Sequence, residues 1–206
     1  MLASQWTEFD FKLCTSAADI RAAYTLRLEL FHEEQKFPEE TEIDSYDPIS
    51  AHFIVISKKD DIVTATVRLT PYPLSINPVN SFDNANTPPE QKHLQLGGLL
   101  GSVRNEQEIV NEFLRDECIG AKLSRMAVKK SYRGKGLGAM TVQEAENWLM
   151  RTLSEKKKAL TMTLSSQKQA QNFYERIGYV PFGEPYDEEG MEHIMCGKEI
   201  SLVTFE

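Results

Sequence analysis

A chain of 206 residues is the length of one domain with room for a hydrophobic core. With 41% hydrophobic and 26% charged residues it has an ordinary globular composition, which argues against a disordered chain. A formal charge of −8 and a pI near 5.2 leave no basic face for a phosphate backbone, so nucleic acid is not an expected partner.

No apolar run approaches the ~20 residues of a membrane-spanning helix, and a membrane partner is not expected. The opening stretch, MLASQWTEFDFKLC, has neither the basic head nor the apolar core of a signal peptide. The expected address is the cytoplasm, with the nucleus not excluded. Cys14, Cys118 and Cys196 are an odd count without a Cys-x-x-Cys pair, so neither a disulfide framework nor a metal site is expected.

In chain order, Thr7–Leu13 alternates apolar and polar residues and predicts a first strand. Ser16 can cap a helix from Ala17 to about Glu34, with Ile20, Tyr24, Leu28 and Phe31 on one face and Phe37-Pro38 as its stop. The acidic run Glu39-Glu40-Thr41-Glu42-Ile43-Asp44 then leads to a strand at His52–Ser57. A turn at Asp60-Asp61 returns the chain as the strand Ile62–Leu69. From Pro71 to about Gly120, prolines, asparagines and Gly97-Gly98 break the pattern. One helix stands out there, capped by Asn105 and carrying Ile109, Val110, Phe113 and Leu114 on one side. Order returns with a strand at Lys122–Val128, a helix at Gly138–Ser154, a strand at Leu160–Leu164 and a helix at Gln167–Ile177 closed by Gly178. Strands at Tyr179–Phe182 and about His193–Val203 complete the chain. The sum is an α/β (α+β) three-layer arrangement, read as a single domain over 1–206 with a long inserted connection at about 71–120.

The chemistry concentrates between the strand ending at Val128 and the following helix, in Arg133-Gly134-Lys135-Gly136-Leu137-Gly138. Glycines allow close backbone approach, and free amides at a helix start, with its positive dipole end, suit a pyrophosphate. Arg133 and Lys135 add positive charge. A Rossmann fingerprint is formally present in Gly134-x-Gly136-x-x-Ala139, but a basic stretch separates it from its strand, and Leu160–Leu164 is followed by Ser165-Ser166 rather than an acid. A Walker loop fails for want of Gly-Lys-Ser/Thr.

Arg133-x-x-Gly136-x-Gly138 resembles the acetyl-CoA motif of the GNAT superfamily of N-acetyltransferases, as does Ala170-x-x-Phe173-Tyr174-Glu175-x-x-Gly178-Tyr179 further on. Phe31-x-x-Glu34-Gln35 with the acidic run after it, and Gly178-Tyr179-x-Pro181-x-Gly183-Glu184 near the end, are similar to the ElaA-like branch. The resemblance implies a mixed, mostly antiparallel sheet with helices on both faces and a splayed strand pair that holds the cofactor. It implies acetyl-CoA as co-substrate, without a metal. The pantetheine arm would lie along Met126, Ala127 and Val128, with the Val128 amide at the thioester oxygen, and the pyrophosphate on Arg133, Gly134, Lys135, Gly136, Leu137, Gly138 and Ala139. Gln167 and Phe173 are further cofactor contacts on the same mapping.

Tyr174 stands where the superfamily often places a general acid. Lys122 occupies the position at which histone-acetylating members carry a glutamate, which counts against a histone-type mechanism and leaves the amine's proton to another side chain or to water. Glu34, Glu42, Glu184 and His193 are candidates, with His193 and Glu42 taken forward as catalytic. The expected activity is transfer of acetyl from acetyl-CoA to a primary amine of a small molecule, with Glu39, Glu40, Glu42 and Asp44 lining a cationic acceptor's approach. The alternatives are a protein lysine or N-terminal acetyltransferase and a non-catalytic acetyl-CoA-binding module. The last strand can pair across a homodimer.

Overall fold

The structure is a computed structural model that describes residues 6–73, 92–101, 103–154, 156, 159–188 and 190–201. Its strands are β1 (Phe9–Leu13), β2 (Ala51–Ser57), β3 (Ile62–Tyr72), β4 (Gly120–Val128), β5 (Ala159–Gln167), β6 (Val180–Glu188) and β7 (Met191–Ser201). Its α-helices are α1 (Ala17–Arg27), α2 (Lys92–Gly101), α3 (Glu106–Phe113), α4 (Leu137–Leu153) and α5 (Gln171–Arg176). The strands form one sheet in the order β1-β2-β3-β4-β5-β7-β6, antiparallel throughout except for β4 beside β5. Among the described residues no helix is long and apolar enough to cross a membrane.

Helices cover both faces, and the central strands show why. Ala51 and Phe53 of β2 join Val67 and Leu69 of β3 in a cluster with Ile109 and Phe113 of α3 and Trp148 and Leu149 of α4. Ile54 points the other way, to Ile20 and Tyr24 of α1 and Leu99 of α2. A strand buried on both faces reads as a near-continuous apolar run, as Ala51–Ser57 does. Trp148 anchors the first layer, with edge-on contacts to Phe53 at 5.2 Å and Phe113 at 5.3 Å between ring centroids. Each such pair adds about 0.5–1.5 kcal/mol beyond burial.

The predicted first helix divides in two. Ser16 caps α1 by accepting from the Asp19 amide at 3.2 Å. From Leu28 to Glu34 the chain then widens into a π-helical turn, with Gln35 N–H donating to Leu30 O at 3.1 Å. The turn ends where Phe37 N–H reaches Phe31 O at 2.9 Å and Lys36 takes a φ of 68°. A wider turn inserts a residue relative to the 3.6 period, a pattern frequent at functional sites.

The region expected to be irregular holds more order than its composition predicts. β3 continues to Tyr72, and α2 was not anticipated. Asn105 forms a reciprocal capping box with Glu108, with bonds of 3.0 and 2.9 Å. Residues 74–91, most of the proline-rich stretch, lie outside the described residues, as do residues 202 and 203 of the predicted last strand. The helix predicted over Gln167–Ile177 is instead a 3-10 turn at Lys168–Ala170 followed by α5, because β5 runs on to Gln167. Gly178 follows with a φ of 92°, as helix termination requires.

Candidate active site

β4 and β5 pair only from Gly120↔Thr161 to Leu123↔Leu164. Beyond that point β4 stays with β3, and β5 stays with β7 through Gln167↔His193, so the two strands part. A bulge in β4 helps to part them. The register against β3 slips between Thr66↔Ala127 and Arg68↔Ser124, and Arg125 takes a left-handed φ of 50°. The Lys129 amide donates to Thr64 O at 2.8 Å, on the β3 side. By strand alternation the Val128 amide faces the gap.

The loop after β4 begins with a 3-10 turn at Lys130–Tyr132 and enters α4 through Gly134 (φ 75°) and Gly136 (φ 83°). The helix starts at Leu137, one residue earlier than predicted, and its N-cap Gly136 brings no side chain to the first amides. Those amides remain available to a ligand. Beyond its chain neighbours, no atom of the described residues lies within 4 Å of where a Cβ on Gly134 would stand. Leu137 is buried, and Gly138 packs closely under Met126 and Phe173, with a would-be Cβ at 3.1 and 3.3 Å from them. These features fit a pyrophosphate with an extended arm. Lys135 lies over the Tyr132 ring at 5.5 Å and bonds Ser131 O at 3.3 Å. Arg133 is committed more firmly. Its Nε donates to Val128 O at 2.9 Å, and its terminal nitrogens hold Glu34 at 2.5 and 2.8 Å.

On the α1 side of the sheet the strand gap opens into a cavity of about 600 Å³. Met126, Gln167, Tyr174, His193 and Glu42 are all on its wall, so candidates from five separate segments meet there. The Tyr174 ring packs edge-on against Phe173 at 4.9 Å and Tyr179 at 5.8 Å. Burial pushes its pKa up, with Cys196 adding to the effect, so the hydroxyl keeps its proton. His193 donates Nδ1–H to Met191 O at 2.9 Å, which leaves Nε2 as the ring nitrogen without a protein partner among the described residues. Gln167 reaches Gln35 Oε1 at 2.9 Å, tying the end of β5 to the widened turn. Glu184 is exposed on β6 and is absent from the cavity wall.

The acidic run, expected to be open to an incoming cation, is largely consumed by arginines. Arg68 grips Asp44 with two bonds of 2.7 and 2.8 Å and reaches Asp47 at 3.0 Å. Arg27 bonds Asp47 at 2.9 Å and also donates to the Glu42 carbonyl. Arg125 approaches Glu42 Oε1 at 3.3 Å and Asp44 at 3.2 Å. Burial alone would raise the Asp44 and Asp47 carboxyls, but Arg68 and Arg27 respectively lead the charges that hold them below the ordinary range. Glu42 is 4% exposed, and its Oε2 lacks a partner among the described residues. Its surroundings suit an anchor for Arg125 better than a proton acceptor. The sequence does carry a signal for this network. Arg68 interrupts a strand whose other inner positions are apolar or threonine, and such an arginine needs buried anions.

Two family models described as "Acetyltransferase (GNAT) domain" match the chain, over residues 26–143 and 98–199. YyaT of Bacillus subtilis (strain 168) is 26% identical over 196 residues, covering 93% of this chain and 97% of its own. A Lactobacillus plantarum protein described as an N-acetyltransferase superposes with a TM-score of 0.64 at 21% identity, covering 94% of this chain and 99% of that one. Escherichia coli ElaA superposes with a TM-score of 0.61 at 18% identity, covering 92% and 99%. At these identities the two structures speak to the fold alone. The chain belongs to the GNAT acetyltransferases and is an acyltransferase whose fold implies acetyl-CoA as co-substrate.

Proposed function

We propose that this protein transfers the acetyl group of acetyl-CoA to a primary amine of a small molecule inside the cavity between the parted strands. The observation that carries the reading is the free edge of β4 beyond Leu123, which opens directly on a cavity holding both Tyr174 and His193. Acetyl-CoA supplies an activated thioester when bound. The chain's own residues bind, orient and move protons. The gap-facing edge of Met126–Val128 would pair with an amide-bearing arm as a strand does, with the Val128 amide offered to the carbonyl oxygen. The amides from Leu137 to Ala139 and the charge of Lys135 would hold the pyrophosphate, with Arg133 joining when it leaves Glu34. Phe173 supports this start of α4 from below.

His193 Nε2 is the nitrogen able to accept the proton an ammonium must lose before attack, since an amine of ordinary pKa ~10.4 is charged at neutral pH. Tyr174, kept protonated by burial, donates to the departing sulfur. Residues 1–206 act as one domain on this reading.

Titration calorimetry with acetyl-CoA, followed by thiol release on adding a panel of amines, tests the proposal. Saturable heat and amine-dependent thiol release are expected. Absence of heat in folded protein, together with an Arg133→Glu variant that behaves like the parent, would sink it. Heat without turnover across a broad panel would favour a binding module.

A further inference from the structure

Among the cations on the cavity wall, Lys122 differs from the rest. Arg68 spends its guanidinium on Asp44, Asp47 and Ser124, the last at 2.9 Å. Arg125 spends its own on Thr41 O at 2.8 Å and on Glu42 and Asp44. No hydrogen bond or ion pair reaches the Lys122 ammonium from any described residue, although its side chain lines the cavity. Its place is fixed by the last paired stretch of the sheet, with Thr70 beside it on β3 and Thr163 beside it on β5. The acids around it are engaged as well. Asp44 is held by arginines, and Glu188 accepts from Ser165 at 2.6 Å and Tyr186 at 3.4 Å.

Resting on the transferase reading above, we propose that Lys122 is the recognition group for a carboxylate on the acceptor, so that the amine acetylated here belongs to an amino acid or a similar amine-bearing acid. A polyamine fits this wall poorly. A further cation would meet Lys122, while Asp44 and Glu42 face arginines and Glu188 accepts from Ser165 and Tyr186. A carboxylate gives Lys122 the counter-ion that the fold withholds, and leaves the amine end free to face Tyr174 and His193. Burial draws the Lys122 pKa down, with Arg68 and Arg125 adding repulsion and Glu188 and Asp44 opposing, which is the state an incoming anion relieves. The transfer itself balances simply. The amine nitrogen bonds the acetyl carbon, the carbon–sulfur bond breaks, the nitrogen's proton leaves to a base, and the thiolate takes one from an acid.

The test pairs each acceptor with its own carboxamide, across α-amino acids and longer ω-amino acids. The ratio of kcat/KM for acid over amide is the readout. The parent should prefer the acids, and Lys122→Met should lower the ratio by about tenfold to a hundredfold, the worth of one hydrogen bond to a charged group. Lys122→Arg should restore part of it. A ratio near one in the parent, or an equal fall on acids and amides in Lys122→Met, overturns the inference while leaving the transferase reading intact. A second measurement works without turnover. Pulse labelling of lysines by an activated ester, read by mass spectrometry, should show Lys122 protected by the amino acids and not by their amides. If no amine turns over, the transferase reading falls, and labelling alone decides whether Lys122 binds carboxylates. Equal labelling with and without acid overturns that too.

Discussion

Arg133 in the glycine-rich turn and Glu34 at the end of the widened helix are joined through both guanidinium terminal nitrogens, at 2.5 and 2.8 Å, where each side chain is more than a third exposed. The pair closes the loop against the widened turn Leu28–Glu34 and occupies the charge that a pyrophosphate would use. A surface ion pair of this kind holds weakly, at about 0–1 kcal/mol, so a dianion can displace it.

Glu34→Gln should therefore tighten acetyl-CoA binding, by up to about fivefold, because Arg133 is released at no cost to the ligand. Arg133→Glu should weaken it by more than that, as the loop loses a cation and gains an anion. Calorimetric Kd values for both variants check this. If Glu34→Gln leaves the Kd where it was, Arg133 takes no part in binding.

The sequence displays its site in uneven measure, and the reasons are physical. The turn Gly134–Gly138 is legible because backbone conformation selects glycine directly, and φ values of 75° and 83° confirm that choice. Ser16 and Asn105 are legible as caps because the bond each makes is local. The π-helical turn at Leu28–Glu34 is invisible to a 3.6-residue period, which runs through it without a break. The long-range arginine network is hidden for a different reason. Glu42 and Asp44 read as lining a cation's approach until Arg27, Arg68 and Arg125 are brought from α1, β3 and β4 to them and to Asp47; Arg68 in its strand signals that buried anions exist, but no local rule foretells which.

Tyr174→Phe keeps the ring that packs on Phe173 and Tyr179 and deletes only the hydroxyl. The expected result is a kcat lower by about 10²-fold or more with little change in the Kd for acetyl-CoA, in the range that one general acid contributes. Because burial raises this tyrosine's pKa, no loss of rate from its ionisation should appear below the ordinary value of ~10. Full activity of the phenylalanine variant would assign proton donation to water or another group.

Asp47 sits without exposure between Arg27 and Arg68, at 2.9 and 3.0 Å. Asp47→Asn leaves two buried guanidiniums short of an anion and should cost about 3–5 kcal/mol, as removal of one partner from a buried pair does. Glu42 and Asp44 share the same arginines, so their amides should also lower the denaturation midpoint rather than act on acceptor affinity alone. Urea titrations compared with acceptor KM values separate the two effects. Unchanged midpoints would mean the network adds nothing to stability.

His52 lies behind Asp47, 4% exposed, and its Nε2–H donates to the Asp47 carbonyl oxygen at 2.9 Å. Burial draws its pKa down to about 4, and the Asp47 charge opposes this only in part. The ring is neutral at pH 7, so its 3.7 Å approach to Asp47 Oδ1 is not an ion pair there. In the unfolded chain the same ring titrates near ~6.5. Between those values the unfolded state binds a proton that the folded state refuses, so stability is fully present above ~6.5 and declines as pH falls toward 4. The whole interval corresponds to about 3 kcal/mol for this one group. His52→Gln retains an N–H donor and removes the titration, so its unfolding free energy should fall less steeply with acid than the parent's. Asp44 and Asp47, with pKa values held below the carboxylate range, release their contributions only at lower pH. The span from pH 6.5 to 5 thus isolates the histidine, and parallel parent and variant curves across it would show that His52 does not carry the effect.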